Sequence, residues 1–365
     1  MRTRAVAPGT GNVARTKLLV LCGGRSAERD VSCVSAAAVL RNLEPRFSPV
    51  LVWIAPDGRW HLQDRPGPFA RSPEPSRFPF RRRPAALELG TGALVCAGRR
   101  LRVDAVFPVL HGPLGEDGTL QGHLELAGLP YVGCDVLGSA IGMDKAFSKR
   151  LAVQAGLPVL PYAVLRPGAP LAAARRLRLP VFVKPSRMGS SVGVSKVSRP
   201  GQLAAAVRAA FRFDTTVLVE QGVRPREIEC AVLGDDREPQ ASEVGEVRPN
   251  AEFYSYEAKY LDPKGAELLV PAELSPSKRR EVRRLAVEAF RALGGYGLAR
   301  VDFLLDRDTS KLWFNEVNTL PGFTAISMYP KLWAASGLPF PKLVTRLVEL
   351  ALARQRARSR LRITR

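Results

Sequence analysis

Short apolar runs that end at glycine or polar residues dominate the N-terminal third of the chain. Residues 17–22 (KLLVLC) form such a run before two glycines, which predicts a buried strand that feeds a loop. Apolar spacing over 31–43 predicts a helix, and residues 50–54 predict a second strand. A third strand is predicted over 104–110. The strand–helix–strand order indicates a βαβ unit and a parallel sheet.

The pattern changes beyond Cys134, where predicted strands outnumber helices. One helix is predicted over 144–155, and another begins with Ser275 as its N-cap and Pro276 in its first turn. The predicted strands are 181–184, 217–220, 228–233, 299–305 and 312–318. The expected fold class is therefore α/β followed by α+β. A chain of 365 residues is long enough for two or three domains.

The net charge of +21 raises the alternative of a nucleic-acid-binding protein. Only 11 of the 55 basic residues are lysine, and the arginines are scattered without an aromatic–basic stacking pattern. An arginine-biased composition of solvent-facing positions is the favoured interpretation. The clusters at 81–83 and 354–365 remain possible exceptions.

Other features of composition bear on context. Residues 66–84 are rich in proline, arginine and serine, which predicts an exposed insertion. Residues 1–16 lack acids and an apolar core, so we expect a mobile tail and not a secretory signal. No apolar run approaches the roughly 18–20 residues that cross a bilayer. Five scattered cysteines without a CxxC pair argue against a disulfide framework or a zinc site, and favour a reducing cytoplasm.

The last predicted strand pair carries the most informative polar residues. Because side chains alternate along a strand, Arg300 and Asp302 share a face, as do Glu316 and Asn318. If the turn sets Asp302 opposite Glu316, oxygen ligands suited to Mg²⁺ lie beside a guanidinium that could stabilise a phosphoryl group or an oxyanion. The alternative is a surface hairpin with exposed acids. Polar residues in an otherwise apolar strand argue against it.

A lysine followed by a glycine- and serine-rich loop is a second candidate site. Lys184 ends an apolar strand, and residues 185–193 suit close approach of backbone N–H groups to phosphate oxygens. Lys145, which opens a helix, is another candidate phosphate contact. The loop does not match the P-loop pattern, and a flexible β-hairpin turn is the alternative.

Two loops follow the N-terminal strands, and a third loop lies between later elements. Glu28 follows the first strand and could receive a substrate ammonium group, although a plain helix N-terminal acid is equally favoured. His111 follows another strand at the same predicted sheet edge. Residues 252–260 form a polar, aromatic stretch in which Lys259 and Tyr260 could reach a ligand as part of a lid. A partly buried surface loop is the alternative there.

Taken in order, these stretches resemble the D-alanine–D-alanine ligases of the ATP-grasp superfamily. The matching segments are GGRSAERDVS, HGPLGEDGTLQG, MDK, VKPSRMGSSVGVSKV, REIECAVLG, FYSYEAKY, ARVDFLL and NEVNTLPGFTAISMYPKLW. The resemblance implies an N-terminal Rossmann-like parallel-sheet domain followed by a two-subdomain ATP-grasp fold. The implied divisions are 1–16 (tail), 17–138 (substrate domain), 139–222 (central subdomain) and 223–365 (C-terminal subdomain with the metal site).

The resemblance also implies a role for each matching position. ATP would be bound by Lys145, Lys184, Ser191, Glu220, Glu227 and Lys259, with lysines on the phosphates and glutamates on adenine and ribose. Two Mg²⁺ or Mn²⁺ ions would be held by Asp302, Glu316 and Asn318. The amino acids would be bound by Glu28, His111, Gly322, Ser327 and Met328. The implied catalytic residues are Glu28, Ser190, Tyr260, Arg300 and Ser327.

The implied reaction is ATP-dependent, ADP-forming ligation of two D-alanines through a D-alanyl phosphate, for peptidoglycan synthesis. Ligases that form D-alanyl-D-lactate or D-alanyl-D-serine are alternatives of the same fold, and Tyr260 favours the dipeptide type. The expected partners are D-alanine and ATP, with no nucleic acid or membrane. A cytoplasmic homodimer is the family expectation.

Overall fold

The structure is a computed structural model that describes residues 15–249, 266–324 and 326–362. The described strands are β1 (Thr16–Gly23), β2 (Phe47–Ile54), β3 (Trp60–Gln63), β4 (Ala85–Leu87), β5 (Leu94–Cys96), β6 (Arg99–Leu101), β7 (Ala105–Pro108), β8 (Tyr162–Leu165), β9 (Val181–Pro185), β10 (Ser195–Val197), β11 (Val217–Gln221), β12 (Pro225–Gly234), β13 (Gln240–Pro249), β14 (Ala266–Leu269), β15 (Gly297–Asp306) and β16 (Leu312–Asn318). They form four sheets.

The described helices pack against these sheets. They are α1 (Arg29–Arg41), α2 (Pro66–Ala70), α3 (Thr119–Leu126), α4 (Val136–Met143), α5 (Lys145–Gln154), α6 (Ala172–Arg175), α7 (Leu203–Ala210), α8 (Pro276–Ala292), α9 (Met328–Ala335) and α10 (Phe340–Arg358). None of the helices in the described ranges is long and apolar enough to span a bilayer. Helix α8 begins as predicted, because the Ser275 hydroxyl accepts the backbone N–H of Lys278.

The N-terminal sheet has the order β3-β2-β1-β7, and β1 pairs in parallel with both β2 and β7. The apolar run predicted as a buried strand is fully buried from Leu18 to Cys22. The predicted βαβ unit with parallel pairing is confirmed for β1, β2 and β7, while the edge strand β3 pairs antiparallel with β2. Because the strands are parallel, the loops after β1 and β7 emerge at the same edge of the sheet.

The prediction of an exposed insertion over 66–84 is wrong in part. The segment forms α2 and a 3₁₀ turn, and Phe69 is completely buried against the sheet core. The ring centroid of Phe69 lies 5.3 Å from that of Phe78 and 5.2 Å from that of Phe80. Phe80 also stacks on Trp53 at 4.8 Å. Spaced phenylalanines bury this segment while its arginines face water.

Two antiparallel sheets follow. One has the order β10-β9-β11-β8, and the other has the order β14-β13-β12-β15-β16. Helix α8 covers the second sheet, and its residue Phe290 is completely buried in that core. The strand-rich character predicted for this half of the chain is confirmed. Four of the five predicted strands extend beyond their predicted ranges, and β16 matches its own.

The basic C-terminal helix α10 is held against the rest of the protein by contacts of its arginines. The guanidinium of Arg354 donates hydrogen bonds to the backbone oxygens of Gly133 (2.7 Å) and Tyr131 (2.8 Å). It also lies 4.3 Å from the ring centroid of Tyr131 and 4.8 Å from that of Tyr296. Arg358 pairs with Glu125 at 2.6 Å. These arginines therefore hold α10 in place.

The five cysteines are all buried, free thiols. Burial raises the pKa of the Cys230 thiol to about 12, so it stays a neutral, small apolar group.

Candidate active site

A cavity of about 1140 Å³ lies between the two antiparallel sheets that contain β9 and β15, next to the loop after β1 and helix α1. Most residues proposed from the sequence line it, together with others from the same strands. The predicted residues that line it are Glu28, Lys145, Lys184, Ser190, Ser191, Glu220, Glu227, Arg300, Asp302, Glu316, Asn318, Gly322, Ser327 and Met328. His111 lies behind the wall, and Lys259 and Tyr260 lie outside the described residues.

The register of β15 and β16 places the predicted ligand residues together. Asp302 is paired with Glu316, and Arg300 is paired with Asn318. Asp302 is only 8% exposed, so the alternative of a solvent-exposed hairpin is wrong. Arg300 donates two hydrogen bonds to the Asp302 carboxylate, each 2.7 Å long.

The donor set on this strand pair fits a hard cation. The Oδ1 atom of Asn318 is buried, has no hydrogen-bond partner among the described residues, and belongs to the same strand face as Glu316. Carboxylate and amide oxygens are the ligands that Mg²⁺ prefers. The described ranges contain no group of three His, Cys, Asp or Glu residues that could hold a metal. A cation here would therefore need further oxygens, such as those of phosphate and water.

Glu229 is a site residue that the sequence analysis missed. It lies on β12 opposite Asp302, lines the cavity, and approaches the Arg300 guanidinium at 3.0 Å. Arg300 is therefore held between two carboxylates. The signal was present, because Glu227 and Glu229 are two residues apart on one strand and share a face.

Glu220 and Lys184 line the cavity on the β9–β11 side, and a third buried charge, Lys149, lies behind them. The carboxylate of Glu220 lies 2.5 Å from the Nζ of Lys149 and 2.7 Å from the Nζ of Lys184. Burial tends to raise the pKa of Glu220, but the two ammonium groups outweigh it and lower that pKa. Burial tends to lower the pKa of Lys184, but Glu220 outweighs it and the pKa is raised. The pKa of Lys149 is lowered because burial prevails there.

The glycine- and serine-rich loop meets the loop after β1. Ser190 donates a hydrogen bond of 2.5 Å to the Glu28 carboxylate. Ser190 and Ser191 have φ values of 51° and 61°, a left-handed conformation that costs free energy in a non-glycine residue and is common at functional sites. A Cβ on Gly189 would lie 3.1 Å from Glu28 Oε2, so a side chain there would crowd the carboxylate.

Lys145 connects this loop to the ligand strands. Its Nζ donates a hydrogen bond of 2.9 Å to the Met188 backbone oxygen and lies 3.1 Å from Glu316 Oε2. Asp144 caps α5 by accepting the N–H groups of Ala146 and Phe147. The predicted helix therefore places Lys145 between the glycine- and serine-rich loop and the candidate metal ligands.

His111 and Glu116 are buried around Glu28. The Nδ1 of His111 lies 2.9 Å from the Leu320 backbone oxygen, and burial lowers the pKa of the ring. Glu116 accepts the Gly112 N–H at 2.9 Å. Burial, and then the charge of Glu28, raise the pKa of Glu116 to about 8. Glu116 received no role from the sequence, although it belongs to the loop singled out there.

The far end of the cavity lies at the start of α9. Gly322 and Ser327 are so close that a Cβ on Gly322 would meet the Ser327 hydroxyl at 2.9 Å. Ser327 is the N-cap position and Met328 is the first helical residue. The open N–H groups and the positive end of the helix suit a carboxylate.

A cleft of lysines and carboxylates between two antiparallel sheets, joined to a parallel-sheet domain, defines the ATP-grasp class. Residues 17–134 match the family model described as D-ala D-ala ligase N-terminus, and residues 151–349 match D-ala D-ala ligase C-terminus. The chain therefore belongs to the D-alanine–D-alanine ligase family.

Individual relatives agree with this assignment over almost the whole chain. The D-alanine--D-alanine ligase of Mycobacterium sp. (strain KMS) is 52% identical, covering 93% of this chain and 97% of the relative. The D-alanine--D-alanine ligase A of Salmonella typhimurium is 46% identical, covering 96% and 100%. The solved D-alanine-D-alanine ligase from Coxiella burnetii superposes with a TM-score of 0.85 at 37% identity, covering 95% of this chain and 97% of that chain. The D-Ala:D-Ser ligase VanG from Enterococcus faecalis gives 0.83 at 35% identity, covering 92% and 99%.

Proposed function

We propose that this chain joins two D-alanine molecules in an ATP-dependent, ADP-forming reaction that supplies D-alanyl-D-alanine for peptidoglycan precursors. One observation carries the proposal: the Asp302–Glu316 pair and the Glu28–Ser190 hydrogen bond face the same cavity. A nucleotide phosphate at the first and an amino acid at the second would then be neighbours. The names of the family models and relatives support D-alanine as the substrate.

The nucleotide would lie between the two antiparallel sheets. Lys145 and Lys184 would contact its phosphates, and Ser191 would add a contact from the left-handed loop. Glu220 and Glu227, on neighbouring strand ends, would bind the adenine and the ribose. Lys259 would reach the γ-phosphate from the segment outside the described residues.

Two Mg²⁺ or Mn²⁺ ions would be held by Asp302, Glu316 and Asn318, whose unpartnered Oδ1 supports this assignment. When bound, such ions would neutralise charge on the phosphate oxygens. The hydrogen bonds between Arg300 and Asp302 suggest that this guanidinium stays beside the ligand oxygens.

Glu28 would bind the ammonium group of the first D-alanine, and His111 would orient it indirectly by fixing the loop around Leu320. Ser190 and Tyr260 would connect to Glu28 and help remove a proton from the second amine. The second carboxylate would be bound by Ser327 and by the N–H of Met328. Arg300 and the backbone of Gly322 would stabilise the oxyanion.

The reaction would then proceed in two balanced steps. An oxygen of the first carboxylate attacks the γ-phosphorus of ATP, the bond to the β-phosphate oxygen breaks, and ADP leaves. The neutral amine of the second D-alanine attacks the acyl phosphate carbon and the bond from that carbon to the phosphate oxygen breaks. Inorganic phosphate leaves with the proton that the nitrogen gives up as the amide forms. No covalent enzyme intermediate is needed, so the protein contributes positioning and charge stabilisation.

D-Alanyl-D-serine formation is a second candidate, because the similar structure VanG is named as a D-Ala:D-Ser ligase. D-Alanyl-D-lactate formation is the third alternative of this fold. The deciding experiment measures phosphate release from ATP and Mg²⁺ with D-alanine alone, and then with D-serine or D-lactate as the second substrate. We expect the largest kcat/KM with D-alanine and a dipeptide of D-alanine by mass spectrometry. A larger value for D-serine or D-lactate would replace this substrate assignment, and no amino-acid-dependent release would reject the ligase.

The organisation of the chain is part of the same proposal. We infer a substrate domain over 17–138 and ATP-grasp subdomains over 139–222 and 223–365, which the separation of the sheets supports.

We also infer a cytoplasmic homodimer. Size-exclusion chromatography with light scattering tests the dimer, since a monomer mass at working concentration would reject it.

A further inference from the structure

Lys149 is a buried lysine that no role described so far uses. It lies on α5, one turn after Lys145, with a side chain that is only 1% exposed. Its ammonium lies 2.5 Å from Glu220 on β11 and 3.5 Å from the backbone oxygen of Phe314 on β16. Burying an ammonium group is costly unless it is paired and hydrogen-bonded, so its place next to the cavity wall calls for an explanation.

The charges of Glu220, Lys149 and Lys184 do not sum to zero. Each Glu220 oxygen is contacted by a different lysine, Oε1 by Lys149 and Oε2 by Lys184. Within this triad Glu220 neutralises only one of the two lysine charges, and Glu316 and Glu227 act on Lys184 as further negative charges. Lys184 lines the cavity, whereas Lys149 lies behind it, so the surplus charge of the triad faces the cavity through Lys184. Without Lys149, Lys184 would have to neutralise Glu220 alone.

Lys149 also joins the two sheets that enclose the cleft. Glu220 belongs to the four-stranded sheet and Phe314 to the five-stranded sheet. Phe314 precedes Glu316 by two residues on the same strand, and Glu316 contacts Lys145 at the start of the same helix. The distance between Glu220 and Glu316, at opposite ends of the proposed nucleotide site, therefore depends on the contacts of α5.

We propose that Lys149 is a positioning residue of the nucleotide site, which fixes the Glu220 carboxylate and leaves the Lys184 charge available to a bound nucleotide. This inference rests on the proposed function only in taking the cleft as the nucleotide site. Lys149 touches neither substrate. It acts through Glu220, through Lys184 and through the sheet-to-sheet contact at Phe314.

The test compares Lys149→Met, which keeps the length of the side chain without its charge, with Lys149→Arg, which keeps the charge. Lys342→Met is the matched control, since Lys342 is 64% exposed and pairs with Glu44 far from the cleft. Binding of ADP with Mg²⁺ is measured by calorimetry on the full chain. The KM values for ATP and D-alanine and the value of kcat are measured alongside, and circular dichroism confirms folding.

We expect Lys149→Met to weaken ADP binding and to raise the KM for ATP by about tenfold or more, the effect of losing a charge-assisted hydrogen bond. The KM for D-alanine should change less than about twofold. Lys149→Arg should restore most of the nucleotide affinity, and Lys342→Met should equal the unmodified chain. Unchanged ADP binding in folded Lys149→Met, equal changes in both KM values, or no recovery with arginine would each overturn the proposal.

A second pair of variants covers the case in which Lys149→Met does not fold, and a separate readout distinguishes failure of the Lys149 proposal from failure of the ligase assignment. If Lys149→Met does not fold, Lys149→Arg is compared with Lys149→Gln, because both retain a donor beside Glu220 and only one retains the charge. Equal nucleotide affinity of these two variants would overturn the proposal. The calorimetric arm needs no D-alanine turnover. Failure of the ligase assignment would appear as absent D-alanine-dependent phosphate release in the unmodified chain, and is therefore distinguishable from failure of the Lys149 proposal.

Discussion

The hydroxyl of Ser190 donates a 2.5 Å hydrogen bond to the carboxylate of Glu28, a residue 162 positions away in sequence. This contact joins the loop after β9 to the loop after β1. It connects the element proposed to hold ATP with the element proposed to hold the first amino acid. A change at Ser190 should therefore affect the amino acid more than the nucleotide.

Replacing Ser190 with alanine tests that coupling. We expect the KM for D-alanine to rise or kcat to fall by about tenfold, because a hydrogen bond to a charged group contributes about 1.5–3 kcal/mol. ADP affinity should stay close to that of the unmodified chain. Initial rates over a D-alanine series provide the measurement, with Ser198→Ala, at an exposed position, as the control. A loss confined to ADP binding would contradict the proposed coupling.

Glu316→Gln tests the candidate metal ligand. We expect turnover to fall by about a hundredfold and the Mg²⁺ concentration for half-maximal rate to rise, because a neutral amide is a weaker ligand. Circular dichroism should show an intact fold. Glu288→Gln, which affects an exposed pair with Arg284, is the control. Normal turnover in folded Glu316→Gln would remove Glu316 from the site.

Glu229→Gln tests the second anchor of Arg300. Asp302 cannot give all its oxygens both to Arg300 and to a cation, so Glu229 is the carboxylate that can keep the guanidinium in place. We expect kcat to fall about tenfold with little change in the KM for ATP. Steady-state kinetics measure kcat and the KM for ATP separately, with Glu267→Gln, at an exposed position, as the control. A rise in the KM for ATP that accounts for the whole loss would argue against this role.

Glu116 predicts a pH dependence of stability. Burial and then the charge of Glu28 raise the pKa of Glu116 from 4.5 to about 8, so the folded chain retains a proton that the unfolded chain has lost. The contribution of Glu116 to stability therefore falls as pH rises from about 4.5 to about 8. Glu116→Gln should raise the free energy of unfolding near pH 8, by an amount on the order of a few kcal/mol, and change it little near pH 4.5. Urea unfolding at both pH values measures this. A variant less stable than the unmodified chain at pH 8 would contradict it.

The packed insertion predicts a stability effect at Phe69. Phe69→Ala should lower the free energy of unfolding by about 3–5 kcal/mol, because a buried aromatic ring is replaced by a cavity. Phe147→Ala, at a residue that is 49% exposed, should cost much less. Denaturant titration of both variants decides the matter. Equal losses would show that the segment is not part of the core.

Alternation along the strands correctly grouped Arg300 with Asp302 and Glu316 with Asn318 on shared faces. The pairing of Asp302 with Glu316 depends in addition on a register shift between Asp302 and Phe303, which alternation does not encode. The same alternation, applied to Glu227, would have found Glu229. Alternation could not identify Lys149 as a residue of the site, because its partners Glu220 and Phe314 lie on two other elements far along the chain. Its role depends on tertiary packing that periodicity does not encode.

For the insertion at 66–84, composition alone gives the wrong burial for a different reason. The proline and arginine content of 66–84 predicts exposure, whereas Phe69, Phe78 and Phe80 are spaced so that their rings meet in one cluster. Local composition describes the average of a segment, and burial is decided by the few large apolar side chains in it. His111 shows a further limit, because no pattern could indicate that its ring would contact the Leu320 backbone oxygen.

The two hydrogen bonds from Arg354 to the backbone oxygens of Tyr131 and Gly133 have a practical consequence for the design of expressed versions of this protein. Shortened versions that stop before that arginine would lose the hydrogen bonds that join the segment around Tyr131 and Gly133 to the final helix. Fusion partners and purification tags are best attached after Arg358, where they leave the ion pair with Glu125 undisturbed.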